Sequence, residues 1–166
     1  MVATIDRRVC AEIEGPFVLF LIGARINRWW KPWILFPFMA AMPRMLAELG
    51  AQPDLGLLHA RSHTGIGGLM VVQYWRSFEA LEAYARDKQR AHQPAWSWFN
   101  KRFGSNGDIG IWHETYLIQP GAYETVYNNM PPHGLGAAGT LVDAVGARQE
   151  ARLRVKATAG ALGAGA

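Results

Sequence analysis

The sequence predicts an α+β fold whose elements follow the ferredoxin-like order βαββαβ, with two helices on one face of an antiparallel sheet. Three observations support this prediction. Four segments show the short apolar runs or the two-residue alternation of strands. Two longer segments, one after the first strand and one before the last, carry apolar residues at helical spacing. A glycine-rich turn joins the second and third strands, as in a hairpin, which completes the βαββαβ order.

The first strand and the first helix are expected early in the chain. Residues 17–26, "FVLFLIGARI", form a nearly continuous apolar run, which is typical of a buried central strand. Residues 33–49 have apolar side chains at helical spacing and are followed by Gly50, a common stop signal. Because Pro37 and Pro43 lack a backbone donor, we expect a kink or a helix that begins near Pro37.

The middle of the chain predicts a hairpin followed by the second helix. Residues 55–65 and 67–77 form two predicted strands, joined by a tight turn over residues 64–68. The Ser77 hydroxyl can accept a hydrogen bond from an amide of the helix that follows. Helical spacing then places one stripe of side chains on the core: Phe78, Leu81, Ala85, His92, Trp96, Phe99 and Phe103.

His92 lies within this apolar stripe and is expected to point inward. It is either a core histidine satisfied by one hydrogen bond or a residue that faces a pocket and takes part in chemistry there. Pro94 follows two residues later, so the helix is expected to break at that point and to lift His92 out of the regular ladder.

The last predicted strand covers residues 108–118 and alternates between its two faces. His113 and Glu114 are neighbours on it, so they point to opposite faces and cannot act together as a base and its orienting partner. We favour a structural ion pair of Glu114 with Arg25 or Arg76 over a catalytic role, which stays open. His113 is expected either in a pocket or in an interface.

Composition limits the classes of protein and partner. The chain has 166 residues, half of them hydrophobic, which is enough for one sizeable core. Its net charge of +4 is spread along the chain without a long basic run, so nucleic acid is not an expected partner. The single cysteine, Cys10, excludes an intrachain disulfide and fits a reducing, cytoplasmic compartment. Phosphate-binding glycine loops and the serine hydrolase and zinc protease motifs are absent from the sequence.

The apolar stretch at residues 15–43 raises the question of a membrane. Arg25, Arg28 and Lys31 interrupt it, and its uncharged runs fall short of the roughly 20 residues that a spanning helix needs. We therefore reject a transmembrane helix. Surface contact with a bilayer stays open for an aromatic cluster, although a buried helix or a dimer surface is favoured for it. This cluster consists of Trp29, Trp30, Trp33 and Phe36.

Three segments are predicted along the chain. Residues 1–14 form an N-terminal extension, and residues 15–135 form the ferredoxin-like domain. Residues 136–166 are rich in Gly and Ala and poor in large apolar side chains. Because such a segment buries little surface to offset its ordering entropy, we expect a mobile tail with at most a short helix near 140–155.

Seven sequence blocks between Gly15 and Leu135 together point to a known family. They are "GPFVLFLIGARIN", "AMPRMLAELG", "LGLL", "VQYWRSFEALEAYA", "HQPAWSWFN", "GIWHETY" and "GAYETVYNNMPPHGLG". In this order they resemble the DUF4188 family, also called the fumagillin-biosynthesis-type monooxygenase family. That family is placed in the dimeric α/β-barrel superfamily. The resemblance implies a homodimer with a pocket between sheet and helices in each protomer, but it does not fix the reaction.

The resemblance also gives His92 a possible role as an iron ligand. Heme-degrading members of that superfamily carry their axial histidine on the second helix, where His92 is predicted to lie. Heme b is therefore a possible cofactor, with His92 as the ligand of its iron and Trp96 and Tyr116 beside it. Without iron, His92 is either a catalytic or substrate-contacting group or a structural histidine.

Further side chains are candidates for the walls of the pocket. Residues 123–136 contain Pro131-Pro132, which cannot continue a strand, so we expect an ordered loop that closes over a pocket or straps the dimer. Aromatic side chains suit a flat or hydrophobic ligand, although they are more often simple packing. The candidate pocket residues are Arg25, Tyr74, Trp75, Tyr127 and Asn128.

Three functions follow from these candidates. The first is a monooxygenase-like or heme-dependent oxidoreductase acting on a small hydrophobic organic molecule, with His92, His113 and Glu114 as candidate catalytic residues. The second is a heme-dependent lyase of the aldoxime dehydratase kind. The third is a non-catalytic dimer that binds a hydrophobic ligand.

Overall fold

The predicted βαββαβ unit forms the centre of the molecule in the computed structural model, which describes residues 3–65, 68–104 and 106–160. Its strands are β2 (Phe17–Ile26), β3 (Leu57–Gly65), β4 (Gly68–Trp75) and β5 (Ile109–Ile118), preceded in the chain by β1 (Ile5–Glu12). The four strands form one antiparallel sheet in the order β3-β4-β2-β5. This is the ferredoxin-like order, so the predicted fold class is confirmed.

Helices cover one face of this sheet. They are α1 (Pro32–Ala51), α2 (Phe78–Arg86) and α3 (His92–Arg102). One buried cluster joins α1 and α2 to the sheet through Val18, Trp75, Leu49, Leu81 and Tyr84, and a second joins α3 to it through Phe99 and Ile109. The central strand β2 has the predicted bounds, and the hairpin β3-β4 pairs as expected up to Gly65 and Gly68. Ile66 and Gly67 of the predicted turn lie outside the described residues.

Helix α1 begins earlier than the sequence indicated. Its first residue is Pro32, and the helix continues past Pro37 and Pro43. A proline in the first turn costs no hydrogen bond because its amide would have no intrahelical partner there. None of the described helices is long and apolar enough to cross a membrane.

The predicted second helix is two helices separated by a break at residues 87–91. Helix α2 ends at Arg86, and Asp87 accepts a hydrogen bond from the amide of Gln89 across a tight turn, at 2.8 Å. Helix α3 then begins at His92, so Pro94 falls in its first turn, where its missing donor is harmless. The break therefore comes before His92 and not at Pro94.

The two ends of the chain form a second sheet. Strand β1 lies between β6 (Tyr127–Met130) and β7 (Thr140–Asp143) and pairs antiparallel with both. Two short helical elements and helix α5 complete this half of the chain; they are α4 (Leu135–Ala138), a 3₁₀ turn (Gly146–Arg148) and α5 (Ala151–Gly160).

This arrangement differs from the prediction of at most a short helix near 140–155. The strand at 140–143 is ordered by pairing with β1, which is more than a hundred residues away and invisible to local patterns. Ion pairs add to it, since Arg148 contacts Glu12 at 2.5 Å and the buried Arg154 contacts Glu124 at 2.7 Å. Residues 161–166 of the predicted tail lie outside the described residues.

Candidate functional site

A cavity of about 580 Å³ lies between the helices and the sheet. This volume falls within the range of roughly 300–1,000 Å³ that is usual for ligand pockets. Alternate residues of three strands form its floor: Phe20, Ile22 and Ala24 of β2, Val71, Gln73 and Trp75 of β4, and Ile111, His113 and Thr115 of β5. The floor is therefore mostly apolar; its polar groups lie on β4 and β5, and Ser62, His63 and Thr64 of the edge strand β3 add further polar lining.

The roof of the cavity comes from α1, α2 and α3. Met42, Met45 and Leu46 of α1 recur at helical spacing and cover one side. The stripe predicted from the sequence covers the other side, through Phe78, Leu81, Ala85, His92, Trp96 and Phe99. Phe103, its last member, packs beside the cavity with Phe99 and Ile109. His92 thus faces a cavity in place of a closed core.

The orientation of the His92 ring is fixed by one backbone hydrogen bond. Its Nδ1 lies 2.8 Å from the carbonyl oxygen of Ala85, at the end of α2. A carbonyl oxygen only accepts hydrogen bonds, so Nδ1 must carry the proton and donate. In the neutral ring, Nε2 is then the nitrogen with a free lone pair.

The start of α3 is held in place from α1. The Glu48 carboxylate accepts from the Ala91 amide at 3.0 Å and from the Tyr84 hydroxyl at 2.9 Å. Arg90 lies 3.8 Å from the other Glu48 oxygen and donates to Gln52 at 2.5 Å. Burial, followed by the hydrogen bond to Glu48, raises the pKa of the Tyr84 hydroxyl, which therefore stays a donor. Because Ala91 directly precedes His92, this network positions the histidine as well.

His113 and Gln73 are the polar groups at the centre of the sheet floor. The His113 ring lies 5.7 Å from the ring of Phe20 and is solvent-exposed, as is Thr115 on the same strand. Since β5 is an edge strand, the cavity opens along it. The buried Gln73 accepts a hydrogen bond from Trp75 Nε1 at 2.8 Å, which leaves its amide hydrogens as donors.

Three predicted pocket residues lie elsewhere, in or near the second sheet. Tyr74 alternates with Gln73 and Trp75, so it points away from the cavity and packs in a core cluster with Tyr127. The Tyr127 hydroxyl accepts from the Gly136 amide at 3.0 Å. Asn128 is exposed on β6. The segment around them pairs with β1 and does not close over the cavity.

Arg25, Glu114 and Tyr116 lie on the sheet face that points away from the helices. Glu114 accepts a hydrogen bond from the Tyr116 hydroxyl at 2.7 Å, and this bond raises the pKa of the tyrosine. The predicted partner Arg76 donates to the carbonyl oxygen of Glu14 at 3.3 Å, so it does not pair with Glu114. Of the predicted site residues, the cavity brings together His92, His113, Trp75 and Trp96.

Sequence reasoning missed several residues that line the cavity. Gln73 could have been found, because strand alternation places it on the same face as Trp75. Met42, Met45 and Leu46 could have been found from their helical spacing on α1. The partner of His92 could not, because the Ala85 carbonyl belongs to the backbone of another helix.

Known proteins similar in sequence identify the family of the chain. Residues 17–135 match the sequence profile of the Monooxygenase af470-like family. The chain belongs to this family. A relative, monooxygenase af470 of Aspergillus fumigatus, is 29% identical over 133 residues, which cover 74% of this chain and 46% of the relative. The present chain thus spans about half the length of that relative. Resemblance to a monooxygenase family is confirmed, whereas the DUF4188 designation stays a prediction.

Solved structures with the same fold include two aldoxime dehydratases. One, in complex with butyraldoxime, has a TM-score of 0.61 at 15% identity and covers 96% of this chain and 45% of that chain. The other has a TM-score of 0.60 at 18% identity and covers 93% of this chain and 44% of that chain. Because both structures are less than 20% identical to this chain, the similarity shows a shared fold.

Proposed function

We propose that the chain is a monooxygenase-like enzyme that binds heme b and a small hydrophobic organic substrate in the cavity, with His92 as the ligand of the heme iron. The observation that carries this proposal is the hydrogen bond from His92 Nδ1 to the Ala85 carbonyl. Histidines that ligate metals commonly donate their second ring nitrogen to a carbonyl or carboxylate, which fixes the tautomer and the ring orientation. Here that arrangement leaves Nε2 available on a ring that lines the cavity.

The residues around His92 suit a flat hydrophobic cofactor. The rings of Trp96 and Phe99 stack at 5.8 Å with an angle of 13° between them, and both line the cavity. Lys and Arg do not occur among the described lining residues, so the carboxylates of a bound heme would need contact with solvent. Heme iron held by a histidine supplies dioxygen binding and activation chemistry.

Other groups of the chain would orient a bound substrate. His113 faces the cavity from β5, and its imidazole can hydrogen-bond a polar group of a substrate. The Gln73 amide can donate a hydrogen bond to an oxygenated substrate from the buried part of the floor. Apolar walls on both sides favour a hydrophobic molecule.

Dehydration of an aldoxime to a nitrile and water is the second candidate. It is favoured by the shared fold with two aldoxime dehydratases over nearly the whole chain. The same cavity and the same histidine would serve this reaction. The test is incubation of the heme-loaded protein with butyraldoxime, followed by chromatography for the nitrile. A lyase would form the nitrile, whereas an oxygenase would not.

We also propose that two copies pair through the face of the main sheet that the helices leave open. Trp112 and Tyr116 on this face are 41% and 45% exposed, and Leu19 and Leu21 lie beside them on β2. The Trp112 ring packs over Gly23, where a Cβ would lie only 2.5 Å from it. Aromatic and aliphatic side chains therefore surround Glu114 on this face, and a self-complementary contact of two such faces would form a symmetric homodimer.

The test of the heme proposal is the visible absorption spectrum of the protein after reconstitution with hemin. We expect an intense Soret band in the wild type that is lost or shifted in His92→Ala. His133→Ala is the matched control, since His133 does not line the cavity, although it packs beside the lining residue His63, and this variant should keep the wild-type spectrum. A wild type without a Soret band, or a His92→Ala variant with the wild-type band, would refute iron ligation by His92. Oxygen uptake with hydrophobic substrates then tests the reaction itself.

A further inference from the structure

Three tryptophans are displayed in solvent at one end of the main sheet. Trp29, Trp30 and Trp33 are 76%, 56% and 64% exposed. The sequence favoured a buried helix or a dimer surface for them; the exposure of all three contradicts the buried helix and leaves the dimer surface a prediction. The side chain of Phe36, the fourth member of the predicted aromatic cluster, lies outside the described part. Large aromatic side chains that stay in water at this density mark a contact surface.

The segment that carries these tryptophans is held rigidly. The amides of Asn27 and Arg28 donate to the backbone carbonyl of Asp108, at 3.0 and 3.3 Å. The Asp108 carboxylate accepts from Arg28 at 2.8 Å and from Lys31 at 2.9 Å. Trp29 and Trp30 pack edge to face with their ring centroids 6.1 Å apart. The exposure of Trp29 and Trp30 is therefore built into the fold, because the turn is fixed on both sides of them.

Positive charge surrounds the same surface. Lys31, Trp33 and Arg102 line one shallow recess, and Lys101 precedes Arg102 at the end of α3. The described part of this recess and its turn carries the cations Arg28, Lys31 and Arg102 and the single carboxylate of Asp108, and Lys101 is exposed next to Arg102 in the chain. Asp108 is buried, so the charge that reaches solvent is cationic.

We propose that this tryptophan patch, Trp29, Trp30 and Trp33 with Lys101 and Arg102 beside it, docks the protein on the surface of an anionic lipid bilayer. Tryptophan rings favour the boundary between headgroups and acyl chains, where an apolar body and a polar N–H are both satisfied. Basic side chains at the same level are attracted to anionic headgroups. The combination selects a lipid surface over a second copy of the chain, because two such cationic patches would repel each other.

The patch is connected to the cavity by aromatic packing. Phe103 lines the recess beside Trp33, and its ring lies 5.1 Å from that of Phe99, which lines the cavity. Docking would bring the cavity close to molecules dissolved in the bilayer. This last consequence, a lipophilic substrate drawn from a membrane, rests on the proposed function, whereas the docking itself does not.

The experiment is co-sedimentation of the full chain with vesicles, which needs no enzymatic activity. Vesicles of phosphatidylcholine alone are compared with equimolar phosphatidylcholine and phosphatidylglycerol. We expect binding to the anionic vesicles that weakens with added salt, and a loss of roughly tenfold or more in the variant Trp29→Ser/Trp30→Ser/Trp33→Ser. The matched control Val126→Ser/Val145→Ser removes exposed apolar side chains elsewhere and should bind like the wild type.

A charge-reversal pair tests the electrostatic part. Lys101→Glu/Arg102→Glu should weaken binding to anionic vesicles by about fivefold or more per residue, whereas Lys88→Glu/Arg152→Glu, at two exposed positions elsewhere, should change it less. Absence of wild-type binding would overturn the proposal, as would wild-type binding by the tryptophan variant. Sedimentation velocity without lipid completes the test, since an oligomer that dissociates in the tryptophan variant would show a protein contact instead.

Discussion

Glu48 of α1 connects this helix to α2 and α3. Its carboxylate accepts a hydrogen bond from the Tyr84 hydroxyl on α2 and another from the Ala91 amide, which directly precedes α3. Replacing Glu48 by Ala leaves both donors unpaired in a partly buried place. We expect a loss of about 1–3 kcal/mol in the free energy of unfolding, measured by urea denaturation. The control Glu150→Ala, at an exposed position, should change it by less than about 0.5 kcal/mol. Equal losses in both variants would show that the network does not hold the start of α3.

Asp108 makes a pH-dependent contribution to stability. The hydrogen bond from Lys31, with the added charge of Arg28, holds its pKa below the ordinary value of 3.8. A carboxylate with a lowered folded-state pKa stabilises the protein fully above its unfolded pKa and loses this contribution as pH falls through the folded one. The wild type should therefore be more stable than Asp108→Asn at neutral pH, and the difference should shrink below about pH 4.

The measurement is the free energy of unfolding of both proteins in urea from neutral to acidic pH. Asp6→Asn is a control at an exposed carboxylate near the N-terminus, and its difference from the wild type should stay small at every pH. A difference between the wild type and Asp108→Asn that stays constant down to strongly acidic pH would contradict the assigned ion pairs.

At the scale of elements, helix α2 depends on its N-terminal cap. The Ser77 hydroxyl accepts from the amide of Ala80 at 3.1 Å, as the sequence predicted. Ser77→Ala should lower the free energy of unfolding by about 1 kcal/mol, because one amide of the first turn loses its partner. Ser97→Ala, at an exposed position within α3, should be neutral or slightly stabilising, since Ala is the better helix former. Thermal denaturation followed by circular dichroism compares the two variants. A Ser77→Ala variant as stable as the wild type would show that the Ser77 hydroxyl does not stabilise α2.

The main elements could be predicted because alternation and helical spacing report burial directly. Strand β2 has the predicted bounds, and β5 differs from its prediction by one residue. The break between α2 and α3 was misplaced because it depends on the side chain of Asp87 and on where Pro94 can be accommodated. Strands β1 and β7 were missed because their pairing joins distant parts of the chain, and neither is apolar enough to predict a strand alone.

The candidate site was predicted only in part, because strand alternation and helical spacing each specify some of its residues. Tyr74 and Trp75 were both expected in the pocket, but neighbours on a strand point to opposite faces, so the cavity could include only one of them. The sequence did not tell which face the helices cover. The stripe on α2 and α3 led to His92 and Trp96 because helical spacing already specifies the covered side.

At the scale of the whole molecule, the proposed homodimer gives a test of the open sheet face. Trp112→Glu replaces a large exposed ring of that face by a second carboxylate beside Glu114, which should weaken dimerisation by roughly 2 kcal/mol or more. Sedimentation velocity over a concentration series measures this change, with Val145→Glu as the exposed control that should stay dimeric. A monomeric wild type, or a fully dimeric Trp112→Glu variant, would contradict pairing through this face.

The central claim is that His92 presents Nε2 to a heme iron in the cavity. The most direct measurement is the visible absorption spectrum of hemin-loaded His92→Gly, recorded with and without added imidazole. Removal of the side chain leaves a space in which free imidazole can replace the missing ligand. We predict that the variant alone lacks the wild-type Soret band and that imidazole restores it. A wild-type spectrum without imidazole, or no restoration in a variant that is still folded by circular dichroism, would contradict the claim.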